Sequence, residues 1–317
     1  MIRGYNPAMR LRMFVAMFAL LSGSVGFAQD AAKTQPKPAK APKPDAPLTD
    51  ALTCSPFLWG ADGPSRPQAK MLVPVTIDGK PFVYQLDTGS DEVAVYGGRS
   101  HPEWKPLAQG VRMTDLQFAG ATLPSVVAYA QTAVPDTEVQ GVIGLDPMVG
   151  KVLVIDFPRR RVCLVERADL PVNVVHAAQW SNAEVRHGKF FVRADVNGKR
   201  SNRLVYDTGA SGDALVMDVE PWKTATGKSD PKEATGHFRS QLAGGSVDYV
   251  TAPLSGDLTV ANHVYEHPEV ATAVDRERDY TDIFQADGVL GNALFHDSIV
   301  ILDLTAHARF GLIYPAN

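Results

Sequence analysis

The chain has 317 residues, with 31 basic and 35 acidic side chains, a formal net charge of −4, 45% apolar and 21% charged residues, and two cysteines. That length allows one large domain or two of ordinary size, and the composition is that of a globular protein.

Arg3, Arg10 and Arg12 precede an apolar run from Met13 to Leu21, and Gly26-Phe27-Ala28 places small residues at the −3 and −1 positions of a cleavage site. The pattern predicts a signal peptide over residues 1–28 and export to the periplasm or beyond the cell. An uncleaved anchor is the alternative, and the only route to a membrane, because the apolar stretch falls somewhat short of the roughly 20 residues of a spanning helix. Without this segment 28 basic side chains face 35 acidic ones, a net of −7. Such a surface repels phosphate backbones and anionic lipids, so no nucleic-acid partner is expected.

Residues 29–50 interleave Pro36, Pro38, Pro42, Pro44 and Pro47 with Lys33, Lys37, Lys40 and Lys43. With almost nothing apolar to bury, they read as an extended linker. Cys54 and Cys163 are an even pair in a chain bound for an oxidising compartment. Either they form a disulfide, worth about 4–5 kcal/mol for a loop of this size, or they are two buried thiols.

The folding unit is written twice. Residues 141–165 (GVIGLDPMVGKVLVIDFPRRRVCLV) match 288–312 (GVLGNALFHDSIVILDLTAHARFGL), with Gly141, Gly144 and Asp156 falling on Gly288, Gly291 and Asp303 without a gap. Upstream, 73–97 matches 191–218: each copy has a β-rich run, an Asp78-Gly79 or Asn197-Gly198 turn, a second β-rich run and then Asp-Thr-Gly. Asp-Gly and Asn-Gly accept the positive φ that a tight hairpin turn demands. A third block, 115–127 against 257–270, reads as strand, turn and strand. The expectation is an all-β protein of two lobes, 51–170 and 171–317, with only short helices, for which Asp146–Lys151 and Ala293–Asp297 are candidates.

The chemistry is concentrated in the repeated tripeptide. Asp87-Thr88-Gly89-Ser90 follows the apolar strand Val83–Leu86, and Asp207-Thr208-Gly209-Ala210 follows Leu204–Tyr206. An acid at the end of a buried strand is costly unless it is hydrogen-bonded or functional. Here the chain resembles the aspartic protease superfamily, the pepsin and retropepsin group, over 71–165 and 190–313. The carriers are the two Asp-Thr-Gly blocks, Val142-Ile143-Gly144 and Val289-Leu290-Gly291.

The resemblance implies two retropepsin-like β-barrel lobes related by a pseudo-twofold axis, and an Asp87/Asp207 pair that activates one water against a peptide or protein substrate. It implies no metal and no organic cofactor. Thr88 and Thr208 would hold the two loops together, and Gly89 and Gly209 would keep side chains away from the acids. Ser90 is expected to donate to Asp87 and lower its pKa, whereas Ala210 has nothing to donate; this predicts activity at mildly acidic to neutral pH. Both acids lie in one chain, so a monomer is expected.

One departure from the family concerns the hairpin flap that closes over substrate. Asp207 to Asp257 has room for it, around Ala243, Gly244 and Gly245, whereas Asp87 to Asp115 is too short. A single flap from the second lobe is therefore expected. The alternative to an enzyme is a catalytically inactive peptide-binding or regulatory module on the same fold.

Other signals are weaker. His263-Val264-Tyr265-Glu266-His267 matches a zinc-protease string, but Pro268 and the repeat place it on a strand, where the two His cannot share a helical face. Thr226-Gly227-Lys228-Ser229 has Trp222 where a phosphate loop needs Gly, and reads as a surface loop. Asp156 and Asp303 are expected to be structural, and Arg159-Arg160-Arg161 to be a solvated turn.

Overall fold

A computed structural model of the chain describes residues 48–96, 105–107, 110–131, 139–242, 245–275 and 284–314. The predicted signal peptide and nearly all of the linker lie outside these residues. Among the described residues no helix is long and apolar enough to cross a membrane.

The first lobe contains β1 (Ser55–Pro56), β2 (Leu58–Gly60), β3 (Lys70–Ile77), β4 (Lys80–Leu86), β5 (Val93–Tyr96) and β6 (Lys105–Leu107), then β7 (Gly110–Phe118), β8 (Ala121–Gln131), β9 (Gly141–Ile143), β10 (Val152–Asp156) and β11 (Arg161–Val165). After α1 (Val172–Ala177), the second lobe contains β12 (Gln179–Arg186), β13 (Lys189–Val196), β14 (Lys199–Tyr206) and β15 (Leu215–Val216). It continues through α2 (Val219–Thr226), β16 (Gly236–Leu242), β17 (Gly245–Pro253), β18 (Asp257–Val260), β19 (His263–Glu266), β20 (Glu269–Ala273), β21 (Gly288–Leu290), β22 (Ile299–Asp303) and β23 (Arg309–Ile313).

Local chemistry accounts for the hairpins. Asp78 and Gly79 take φ of 49° and 76° between β3 and β4, and Asn197 and Gly198 take 50° and 72° between β13 and β14. Two positive φ values in succession match the right-handed twist of the flanking strands. Along β3 every second residue is fully buried: Met71, Val73, Val75 and Ile77. This period-2 pattern turns one face of the hairpin into the barrel.

Pairing in the order β3-β4-β9-β5-β8-β7 returns to β3 through Thr76 and Gln117, so the first lobe is a closed barrel. The second lobe repeats the scheme as β13-β14-β21-β15-β20-β17, with β18 returning to β13. The protein is all-β, in two barrel lobes of equivalent topology.

A six-stranded sheet in the order β1-β11-β10-β22-β23-β12 joins the lobes. At its centre β10 and β22 run antiparallel, with Val154 opposite Ile301. Those residues stand in the same repeat relation as Gly144 and Gly291. A residue paired with its own repeat equivalent marks a local twofold axis, and the two copies are thus related by a pseudo-twofold rotation.

The structure corrects three expectations. Ala293–Asp297 forms turns and no helix, with Phe295 and Ser298 backbone N–H groups each closing a tight turn. At Asp146–Lys151 only Asp146–Met148 is helical, as one 3-10 turn opened by Pro147. Arg159 and Arg161 are not simply solvated: both pair with Asp50 and approach the buried Asp156, which also accepts from the Thr49 hydroxyl. Asp303, the repeat equivalent, is buried against Arg167 and Arg309. Both acids serve the inter-lobe sheet.

Cys54 and Cys163 form a disulfide that ties the entrance of the first lobe to β11. Closing a chain separation of 109 residues should stabilise the fold by about 4 kcal/mol. A Cys54→Ser/Cys163→Ser variant is expected to lose that amount in denaturant unfolding; a change below about 1 kcal/mol would contradict it.

Candidate active site

Each Asp-Thr-Gly loop is held from below by the strand carrying the second repeated motif. The Asp87 N–H donates to the Ile143 carbonyl at 3.0 Å, and the Asp207 N–H to the Leu290 carbonyl at 3.0 Å. Parallel pairing of β4 with β9 and of β14 with β21 sets this register. Gly144 and Gly291 end those strands where an added Cβ would lie 2.2 Å from the Glu92 and Ala210 carbonyl oxygens respectively. The apolar-apolar-Gly block is therefore the foundation on which each acid stands.

The loops meet through their threonines. Thr88 Oγ1 donates to the Tyr206 carbonyl at 3.0 Å and accepts the Thr208 N–H at 3.0 Å. Thr208 Oγ1 donates to the Leu86 carbonyl at 2.9 Å and accepts the Thr88 N–H at 3.0 Å. Both threonines are fully buried. Four hydrogen bonds thus cross the axis and satisfy two hydroxyls that would otherwise be stranded in the interior.

Directly above, the Asp87 and Asp207 side chains are hydrogen-bonded to each other. Asp207 Oδ1 accepts the N–H of Gly209 at 2.6 Å and that of Gly89, from the other lobe, at 3.0 Å. Asp87 Oδ1 accepts the Ser90 N–H at 3.0 Å. A Cβ on Gly89 would stand 2.3 Å from the Asp207 carboxylate, and one on Gly209 2.7 Å from that of Asp87. These two positions must be glycine for the acids to approach.

Ser90 departs from expectation, because its hydroxyl donates to the Glu92 carbonyl and only its backbone serves Asp87. Nor is the Asp87 pKa lowered. Burial raises it above the usual carboxylate range, while hydrogen bonds from Asp207 and Ser90 and the charge of Lys189 pull it part of the way back. Asp207 is raised as well, by burial and then by the neighbouring Asp87 charge. Two close carboxylates cannot both ionise at ordinary cost, so the pair holds one proton above the usual carboxylate range.

The acids open into a cleft of about 360 Å³ between the lobes, with Tyr96 and Val139 on one side and Val205, Val216 and Val289 on the other. Burial and the Asp87 charge push Tyr96 up to about 12, so it is neutral under any working condition. Over the cleft stands the hairpin of β16 and β17, held across its strands by Phe238 stacked on Tyr249 (5.0 Å) and by an Arg239–Asp248 ion pair. Gly245 begins β17; Ala243 and Gly244 lie outside the described residues. The equivalent hairpin in the first lobe is a stub of three pairs between β6 and the start of β7.

Two cations that the sequence did not single out flank the pair, each reaching over from the opposite lobe. Lys189, 5% exposed, donates to the Gly89 carbonyl at 2.7 Å and lies 3.4 Å from Asp91. Arg66 forms a bidentate pair with Asp213, at 3.0 and 2.8 Å, and stacks 3.7 Å from the centre of the Phe238 ring. Pairing of β5 with β9 and of β15 with β21 makes Asp91 and Asp213 repeat equivalents. An acid shortly after each Asp-Thr-Gly was the available signal; its partners lie about 100 and 147 residues away in sequence.

Among the described residues no group of three or more His, Cys, Asp or Glu is placed to hold a metal ion. His263 to Glu266 is strand β19, with His263 stacked on Tyr314. Thr226 ends α2, capped by Gly227 at φ 72°, where a phosphate loop would precede a helix.

Two predictions follow from this geometry. Thr208→Val removes one donor and one acceptor of the buried crossing and should lower stability by about 2 kcal/mol in denaturant unfolding; no measurable loss would mean the loops are held otherwise. Because the folded pKa of Asp207 is raised, the native state holds a proton that the unfolded chain releases near pH 4, so stability falls as pH rises through that window. Asp207→Asn should therefore melt higher than the parent at neutral pH, with the difference fading below about pH 4. Equal melting temperatures at pH 7 would refute the raised pKa.

No protein-family model and no curated protein matches the sequence. Among solved structures, similarity is found to conglutin gamma, a unique basic 7S globulin from lupine seeds, at 11% identity and a TM-score of 0.48, covering 83% of this chain and 94% of that one. The basic 7S globulin from soybean gives 10% identity and a TM-score of 0.45 over 83% and 94%. Likenesses of this degree bear on neither activity nor substrate, and the two-lobed barrel fold rests on the strand pairing itself.

Proposed function

We propose that the protein is an exported aspartic endopeptidase that acts as a monomer without a cofactor. The observation that supports this best is the hydrogen-bonded Asp87/Asp207 pair, one acid from each lobe, at the floor of a cleft. In the reaction, an ionised carboxylate takes a proton from water as the oxygen attacks the scissile carbonyl, while the protonated partner donates to the carbonyl oxygen. Collapse of the tetrahedral intermediate breaks the C–N bond, and the proton taken from water goes to the leaving nitrogen. Backbone N–H groups fixed on each carboxylate keep the pair oriented without reorganisation during the step.

The apolar walls suit a peptide with hydrophobic side chains at the cleaved bond. The β16–β17 hairpin would act as the single flap, with Ala243, Gly244 and Gly245 over the substrate. Requiring one acid ionised and the other protonated, with both pKa values raised, sets the optimum above the usual carboxylate range, in mildly acidic to neutral solution.

A second reading, a peptide-binding or regulatory module without turnover, is favoured by the loop between β2 and β3. Its Asp62 accepts the Gln241 N–H of the hairpin, and its Arg66 side chain, 11% exposed, enters the cleft wall. Part of the space beneath the hairpin is thereby filled by the chain itself.

Incubation of the exported protein with a peptide library, with and without pepstatin, separates them. The enzyme reading expects cleavage between apolar residues that pepstatin blocks and that Asp87→Asn or Asp207→Asn reduces by at least about 10³-fold. Peptide retention without cleavage would establish the binding module instead. Cleavage surviving either substitution would end the dyad proposal.

A further inference from the structure

Lys189 is the most deeply buried cation beside the acids, and its position is specific. It begins β13, two residues before the Phe191–Val205 pair and therefore opposite Asp207 in the strand register. Its ammonium crosses to the other lobe to bind the Gly89 carbonyl at 2.7 Å. That carbonyl and the Ser90 N–H belong to one peptide unit. The unit therefore has a cation on its oxygen and, through its N–H at 3.0 Å, the Asp87 carboxylate on its hydrogen. Drawing electrons toward the oxygen strengthens the N–H as a donor to negative charge on Asp87.

Resting on the endopeptidase reading above, we propose that Lys189 is a positioning residue for the acid pair. By gripping the Gly89–Ser90 peptide, it keeps Asp87 as the ionised partner and leaves the shared proton on Asp207. Asp87 then takes the proton from water, and Asp207 donates to the substrate carbonyl.

The surrounding charges support the assignment. Backbone donors do not by themselves choose between the acids: Asp207 receives the N–H groups of Gly209 and Gly89, and Asp87 that of Ser90 with Gly89 also acting on it. The charge of Lys189 acts on Asp87 and tips that balance toward its ionised form. Asp91 offsets part of that charge but is half exposed, whereas Lys189 is enclosed. Glu92 and Asp146 lie farther out around Asp91 and Lys189. Lys70 lines the cleft from the equivalent start of β3, Tyr96 is uncharged, and Arg66 is matched by Asp213. Phe284 caps Lys189, with the ammonium 5.0 Å from its ring centre.

The test compares the full exported protein with Lys189→Met, Lys189→Arg and Asp91→Asn variants, each checked for folding by thermal melting. Removing the charge should move the acidic limb of the kcat/KM profile up by about one pH unit, with KM little changed. Lys189→Arg should restore most of the shift, and Asp91→Asn, which strips the counter-charge, should move the limb down. A Lys189→Met protein with an unmoved limb would overturn the proposal while leaving the endopeptidase reading intact.

Carboxyl NMR titration, with Asp87→Asn and Asp207→Asn for assignment, gives an answer that needs no turnover. The Asp87 midpoint should rise in Lys189→Met, and an unchanged midpoint overturns the proposal even if no peptide is ever cleaved. Should Lys189→Met not fold, the downward movement in Asp91→Asn decides alone.

Discussion

Two carboxylates cannot be held in contact by chance, because each prefers water to the other's company. The structure meets that cost at the crossing of Thr88 and Thr208, where four hydrogen bonds over the pseudo-twofold axis fuse the two loops into one rigid floor. The rest of the fold is arranged around that crossing. The apolar-apolar-Gly strands fix the backbone of each acid, the two barrel lobes fix those strands, and the six-stranded sheet fixes one lobe against the other. Neither lobe could build the site alone, since the Gly89 N–H on Asp207 comes from the first lobe and the Lys189 ammonium on Gly89 from the second.

Much of this was legible in the sequence because it was stated twice. The Asp-Thr-Gly and apolar-apolar-Gly blocks announced two equivalent lobes, and the Asp-Gly and Asn-Gly turns announced hairpins whose φ values then agree. The unequal spacing from each acid to the next repeated strand foretold one long hairpin and one stub.

What was not legible lies in contacts that leave no local pattern. Lys189 reads as an ordinary polar residue at the start of a strand, and nothing near it in sequence reveals a carbonyl 100 residues away. The Ser90 hydroxyl was misjudged for a related reason: a backbone N–H already serves Asp87, leaving the side chain to its neighbour Glu92. Helix α2 was missed because its short run carries a proline and two threonines, and its security comes from Trp222, buried and donating to the Val270 carbonyl. Arg159 and Arg161 looked like a solvated charge run until Thr49 and Asp50 proved to lie against them.

The stub in place of a second hairpin has a consequence for how an extended chain could be read. The backbone of the floor is close to symmetric, with Lys189 on the Gly89 carbonyl distinguishing its two halves. Among the described residues, the parts of the cleft that lack a twin are the β16–β17 hairpin, rooted in the second lobe, and the Asp62–Arg66 loop pressed against it from the first. An extended chain entering the cleft would therefore meet a roof that differs in its two directions more than the floor does.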